Sequence, residues 1–299
     1  MTLTRRTLLR RTGALAVATS ALGVGGCTRM LSEMSGVGAD TIVDTGIPFG
    51  SDPRHCLDLY RPTALDDDTP VALFLYGGSW RWGSRGRYGF VGHALASRGI
   101  AVAIADYRLY PQVRFPAFNR DAAAAVAWLA RNGAGYGLNA PIHVVGHSAG
   151  AHIAAMLALD PAYLEAEGQD AGAIASVVGI AGPYAIRPAE IGYISDIFPP
   201  AAEQDTARPV ALSRAGVVPM LLLHGADDNI VAPENTLAMA AALKAHGNAV
   251  AVRVYEKLGH KDIVLALSRP LQSVGPVLDD VSRFIKNGGV EAVSLDAAL

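Results

Sequence analysis

The chain has 299 residues, 51% of them apolar and 17% charged, with a formal net charge of −2. So large an apolar fraction excludes an intrinsically disordered chain, two cysteines exclude a small disulfide-stapled domain, and the charge balance excludes a nucleic-acid footprint. Length alone allows one large domain or two ordinary ones.

Residues 1–26 read as an address. Arg5, Arg6, Arg10 and Arg11 precede an uncharged stretch from Thr12 to Thr28, the layout of an export signal. That stretch is 17 residues long and rich in Gly and Ala, short of the about 20 apolar residues that cross a bilayer. Thr4-Arg-Arg-Thr-Leu-Leu-Arg10 resembles a bacterial twin-arginine signal. Val24-Gly-Gly-Cys27 resembles a lipobox, in which Cys27 is acylated and becomes the mature N-terminus. The expected product is exported and sits periplasmically or on another extracytoplasmic membrane face as a lipoprotein; simple cleavage would leave it secreted. Removing residues 1–26 takes away four Arg and no acid, bringing the charge from −2 to −6. Membrane contact would then rest on acyl chains, at about 0.8 kcal/mol per buried methylene. Residues 27–39, with Ser32, Ser35, Gly36 and Gly38, read as a flexible tether. With Cys27 lipidated, Cys56 has no partner, so no disulfide is expected.

From residue 40 to 288 the chain alternates strands and helices. Short apolar runs at Leu57–Tyr60, Val71–Tyr76, Ile100–Ala105, Ile142–Val145, Ile174–Ile180, Met220–Leu223 and Val250–Tyr255 are bounded by Gly, Pro or Asp, as strands buried on both faces are. Helical patterns lie between them at Tyr88–Arg98, Asp121–Ala130, Ala149–Leu159, Pro233–His246 and Val277–Lys286. This alternation implies a single α/β domain around a mostly parallel sheet with helices on both faces, followed by a tail at 289–299. Residues 184–216 break the rhythm with four prolines. They read as a loop with short helices, either a lid over a site or an ordinary surface crossover.

Gly146-His147-Ser148-Ala149-Gly150 fits G-x-S-x-G, a weak signal alone. Here it follows the strand Ile142–Val145 and opens the helix Ala149–Leu159, which is the strand–turn–helix elbow that lifts a serine hydroxyl clear of a sheet. A serine hydroxyl needs a base, and the base an orienting acid. Both belong at the C-terminal ends of strands. His224-Gly-Ala-Asp-Asp228 follows one strand and Leu258-Gly-His260 follows another, so the order Ser148, Asp228, His260 is that of the α/β-hydrolases.

From about Leu57 to Phe284 the chain resembles an α/β-hydrolase. Within that fold it resembles the carboxylesterases related to hormone-sensitive lipase, especially the bacterial feruloyl-esterase-like and prenylcysteine methylesterase-like branches. The matching pieces are Leu57-Asp-Leu-Tyr-Arg-Pro62, Tyr76-Gly-Gly-Ser-Trp80, Asp106-Tyr-Arg108, Gly146-His-Ser-Ala-Gly-Ala-His152, His224-Gly-x-x-Asp228 and Gly259-His260. The resemblance implies a serine carboxylesterase acting on a small-molecule ester without a cofactor or metal. Ser148 would be the nucleophile, His260 the base and Asp228 the acid. Main-chain N–H groups of Gly78, Ser79 and Ala149 would form the oxyanion hole. The family commonly has His where Tyr76 stands, as the methylesterase-like branch does not.

Other readings stay beside these. Asp227 reads as a turn residue, and Asp262 as a third candidate acid or a helix cap. His147 should point away from the nucleophile through the elbow, His143 lies in a strand, and His224 should brace its loop. His55, His93, His152 and His246 read as surface or packing residues. Trp80, Trp82 and Tyr184 could line an acyl or alcohol pocket or simply pack. Arg81, Arg85 and Arg87 form either a solvated face or a contact for a carboxylate-bearing substrate. An amide hydrolase with the same triad, or a non-catalytic binding lipoprotein on this scaffold, remains an alternative. Oligomeric state is not legible.

Overall fold

The computed structural model describes residues 30–36 and 41–287; the expected export signal, Cys27 and the 289–299 tail lie outside the described residues. The strands are β1 (Thr41–Pro48), β2 (Cys56–Pro62), β3 (Val71–Leu75), β4 (Ala101–Ala105), β5 (Ile142–His147), β6 (Ile174–Ile180), β7 (Met220–Gly225) and β8 (Val250–Tyr255). The helices are α1 (30–36), α2 (Gly89–Ala96), α3 (Ala117–Asn132), α4 (Ala149–Leu159), α5 (Ala162–Glu165), α6 (Glu234–Ala245), α7 (Asp262–Leu265) and α8 (Val277–Asn287).

All eight strands form one sheet in the order β1-β2-β4-β3-β5-β6-β7-β8. β1 and β2 run antiparallel to their neighbours, and every pair from β4 through β8 is parallel. Helices cover both faces, with α2 against α8 and α3 against α4. All residues of β3 and β4 and every residue of β5 are buried, which is why those runs are apolar without alternation. Each fully buried Val, Leu or Ile contributes about 1.5–3 kcal/mol. Because β3 and β5 to β8 are parallel, the loops that leave them emerge at one edge. Gly78, Ser148, Asp228 and His260 are therefore brought to a common rim by topology alone.

Two parts of the chain differ from expectation. β1 is a half-exposed edge strand whose Ile42 and Val43 face solvent, so it carries no apolar run to mark it. The tether expected across 27–39 contains α1. Its Ser35 is buried, Leu31 packs on the core, and the Ser32 hydroxyl accepts a hydrogen bond from the Phe90 N–H at 3.0 Å. The Ser35 carbonyl accepts from Arg269 at 3.0 Å. Residues 30–36 are thus docked on the domain, and Gly and Ser content alone misjudged them.

Residues 184–216 form a crossover with short 3-10 turns at Pro188–Glu190, Gln204–Ala207 and Pro209–Leu212. Ile194, Ile197 and Phe198 anchor it inward. His152 of α4 ties it further, its Nε2 donating to the Ala207 carbonyl at 2.9 Å.

The helix that follows Ser148 presses directly on β3. A Cβ placed on Gly150 would lie 2.0 Å from the Leu75 carbonyl oxygen and 2.7 Å from that of Tyr76. Both obstacles are main chain and cannot rotate away. Gly150→Ala is expected to cost about 2 kcal/mol or more through overpacking, a drop of about 4–8 °C in Tm for a domain of this size. A melting curve superimposable on wild type would contradict this packing.

Candidate active site

Ser148 sits between β5 and α4 with φ 54° and ψ −119°, a positive φ that costs a non-glycine residue about 1–3 kcal/mol. The surroundings hold it there. β5 is paired on both sides, the Ser148 N–H donates to the Ile180 carbonyl at 2.8 Å, and the Ser148 carbonyl accepts from the His152 N–H at 3.1 Å as α4 begins. The strained turn aims the hydroxyl out of the sheet edge, where Ser148 retains 9% exposure.

The Ser148 Oγ lies 2.9 Å from His260 Nε2, and His260 Nδ1 lies 2.7 Å from Asp228 Oδ2. A carboxylate only accepts, so Nδ1 carries the proton and Nε2 is left as the acceptor of the serine O–H. Asp228 is in turn fixed by three full donors and one shared one, since the single Nε2–H of His224 also serves the Val231 carbonyl. The N–H groups of Ile230 and Val231 reach its Oδ1 at 2.9 Å each, while His260 and, at 3.2 Å, His224 Nε2 reach Oδ2. Burial alone would push this carboxyl up. The hydrogen bonds from His224 and His260, the charge of His260 and the Val231 N–H outweigh it and hold Asp228 well below the usual carboxylate range. Asp228 is therefore ionised at neutral pH.

The competing acids stand elsewhere. Asp227 is exposed, and Asp262 Oδ2 accepts the Gly259 N–H at 2.9 Å, a cap on the loop that carries His260. His224 braces its loop as expected. Its Nε2 donates to the Val231 carbonyl at 2.8 Å and its Nδ1 accepts from the Thr236 hydroxyl at 2.7 Å. Its approach to Asp228 was not foreseen. His147 corrects the expectation outright. It does not point away, for its Nε2 lies 2.9 Å from the main-chain oxygen of His260 and the two rings are 4.9 Å apart.

The loop after β3 borders Ser148 on the other side. Gly78 has φ 140°, and a Cβ there would lie 2.0 Å from the Trp82 carbonyl oxygen, so only glycine closes this turn. The Gly78 carbonyl accepts the N–H groups of Arg81 and Trp82 at 3.0 Å each. No acceptor for the N–H groups of Gly78, Ser79 or Ala149 occurs among the described residues.

Tyr76 supports this loop from below. Its hydroxyl donates to Asp106 Oδ1 at 2.7 Å and accepts from Arg54 Nη2 at 2.7 Å. Its ring stacks between Tyr107 and Tyr88. Arg54 also donates to the Gly83 carbonyl at 3.0 Å, so the loop is held near both ends. Burial drives the Tyr76 phenol pKa far up, and it stays a neutral donor.

The basic cluster dissolves in three dimensions. Arg85 is committed to Asp58 at 2.8 Å and Asp106 at 2.6 Å, which leaves no charge for a substrate. Arg81 lies over the Tyr110 ring at 4.2 Å, and Arg87 is exposed. The aromatic candidates also divide. Tyr184 is fully buried with its hydroxyl against Gly179 and Gly182. Trp80 is 2% exposed and packs on Phe198, His152 and Phe118. Both are packing residues here, and only Trp82, 43% exposed, reaches the surface.

Known proteins resemble this chain to different extents. The chain is 31% identical over 271 residues to the probable isoprenylcysteine alpha-carbonyl methylesterase of Oryza sativa subsp. japonica, covering 83% of this chain and 65% of that protein. It is 31% identical over 219 residues to esterase LipC of Mycobacterium tuberculosis, covering 66% of this chain and 54% of that one. The chain thus spans less than two thirds of the length of these curated relatives. A solved structure of a truncated carbohydrate esterase from gut microbiota shares the fold, with a TM-score of 0.71 at 17% identity, covering 84% of this chain and 97% of that one. The family model BD-FAE matches residues 57–243, and the chain belongs to that family.

Proposed function

We propose that the protein is a serine carboxylesterase that hydrolyses a small-molecule ester through an acyl-enzyme. The observation that carries this reading is the continuous hydrogen-bonded line from Ser148 Oγ through His260 to Asp228. Ser148 attacks the ester carbonyl while His260 Nε2 takes its proton. Asp228 holds the imidazole in that tautomer and stabilises the cation. The N–H groups of Gly78, Ser79 and Ala149 receive the developing oxyanion, each such donor being worth about 10²–10³ in turnover. The proton then passes to the leaving alcohol, and a water activated by His260 releases the acid. Relatives named as methylesterase and esterase support an ester substrate.

The basic run from Arg5 to Arg11 and the cysteine at position 27 support an exported enzyme held at a membrane by acyl chains. At a charge of −6 the mature protein has no electrostatic pull to an anionic bilayer, so the acyl chains alone would supply the attachment.

A fluorophosphonate probe tests the chemistry, because only an activated hydroxyl reacts with it. The expected result is a single adduct, mapped by mass spectrometry to Ser148, with loss of p-nitrophenyl acetate hydrolysis in proportion to labelling. Full hydrolytic activity in the unlabelled, probe-treated protein would remove the reading.

A further inference from the structure

His147 occupies the variable position of the elbow, next to the nucleophile, yet its ring turns toward the far side of the site. Its Nε2 lies 2.9 Å from the His260 carbonyl oxygen, across 113 residues of sequence. A carbonyl only accepts, so Nε2 carries the proton and donates. Nδ1 is then a bare lone pair, and it is buried without a hydrogen-bond partner among the described residues, facing Gly77. His147 is 5% exposed. Its ring is wedged between the oxyanion-side loop at Gly77 and the loop that carries His260.

That second loop has few other restraints near His260. Leu258 is tied by its carbonyl to the Asp227 N–H at 3.1 Å, and Gly259 by its N–H to Asp262 at 2.9 Å and by its carbonyl to the Ile263 N–H at 3.2 Å. The His260 main chain itself is tied by His147. The imidazole must meet two partners at once, Ser148 and Asp228, so a small rotation of its backbone would lengthen both contacts. A donor on the carbonyl limits that rotation. The donor must also be uncharged, since a cation 4.9 Å away would oppose the imidazolium that forms on His260. Burial first, and then the charge of His260, push the His147 imidazole down to about 3, so it is neutral throughout the working range.

We infer that His147 is a positioning residue for the base: its neutral Nε2–H holds the His260 main chain so that the imidazole spans Ser148 and Asp228. The inference rests on the esterase reading and adds to it a residue that touches neither substrate nor the reacting atoms.

Three substitutions test it. His147→Gln places an amide N–H at nearly the reach of Nε2, His147→Asn keeps the amide but falls short, and His147→Leu fills the space without a donor. On p-nitrophenyl acetate, kcat for the Asn and Leu variants is expected to fall by about 10², the loss that follows a misplacement of about 1 Å. KM should stay within about threefold, since no binding contact is removed. The Gln variant should recover most of kcat. A merely structural role would lower Tm in all three and leave the kcat of the folded fraction unchanged, and that pattern overturns the inference. So does a Gln variant as slow as Asn. If the Leu variant does not fold, the Gln–Asn pair carries the test unaided. Ser148→Ala in parallel separates the levels: hydrolysis surviving there ends the esterase reading, whereas an inactive Ser148→Ala beside a fully active His147→Asn ends only this one.

Discussion

Ser148→Ala is expected to abolish ester hydrolysis and to leave the fold standing. Removing the nucleophile of a working triad costs about 10⁶ in kcat, leaving the residual catalysis of the oxyanion site and binding. The structural cost is small by comparison. Among the described residues the side chain of Ser148 makes one hydrogen bond, to His260 Nε2 at 2.9 Å, and it packs at the rim rather than in the core. Its loss removes about 1 kcal/mol, a change of about 2–4 °C in Tm for a domain of this size. Alanine meets the positive φ at position 148 with the same backbone cost as serine. The measurement is kcat on p-nitrophenyl acetate beside a melting curve for both proteins. Turnover within tenfold of wild type in a folded Ser148→Ala protein would take Ser148 out of the chemistry altogether.

What the amino-acid order made legible is what local physics controls. Apolar runs such as Val71–Tyr76 and Ile174–Ile180 announced the central strands Val71–Leu75 and Ile174–Ile180 because strands buried on both faces admit little polar punctuation. The helix Ala149–Leu159 was bounded correctly at both ends because the elbow opens it and Asp160-Pro161 stops it. Edge strand β1 escaped notice because half-exposed positions mix Thr, Asp and Gly with Ile and Val. Partners far apart in the chain were hidden for a different reason. Arg85 reads as a surface charge until Asp58 and Asp106 are brought beside it. Tyr184, in a proline-rich loop, gives no local sign that its ring is buried. The orientation of His147 depends on a loop 113 residues away. The chain order picked out Ser148, Asp228 and His260, which the fold brings into hydrogen-bonding reach of one another, whereas the contacts that hold them in place are matters of tertiary packing.

Asp228→Asn is expected to lower kcat by about 10⁴ with little change in KM, by the same route as in other triads where the acid becomes an amide. The local chemistry makes the route specific. Among the described residues every partner of Asp228 is a donor: the N–H groups of Ile230 and Val231 on one oxygen, His260 Nδ1 and the shared His224 Nε2–H on the other. An amide offers one accepting oxygen and one donating NH₂. With its oxygen toward the two main-chain N–H groups, its NH₂ faces His260, and the imidazole adapts by accepting at Nδ1 and carrying its proton on Nε2. That nitrogen can then no longer take the proton of Ser148. With the amide reversed, the NH₂ opposes two backbone donors that cannot move. The stability of the variant carries a second signature. The Asp228 pKa is lowered in the folded state from an ordinary 3.8, so the ionised carboxylate stabilises the fold fully above that ordinary value. This contribution disappears as pH falls through the lowered folded-state value. The Asn side chain does not titrate, so its deficit in Tm against wild type should be largest near neutrality and shrink below about pH 4. Melting curves at neutral and acid pH, beside kcat and KM at neutral pH, give both readings. A deficit that stays constant into acid would mean that these donors do not hold the Asp228 charge, and an unreduced kcat would mean that they do not set the His260 tautomer.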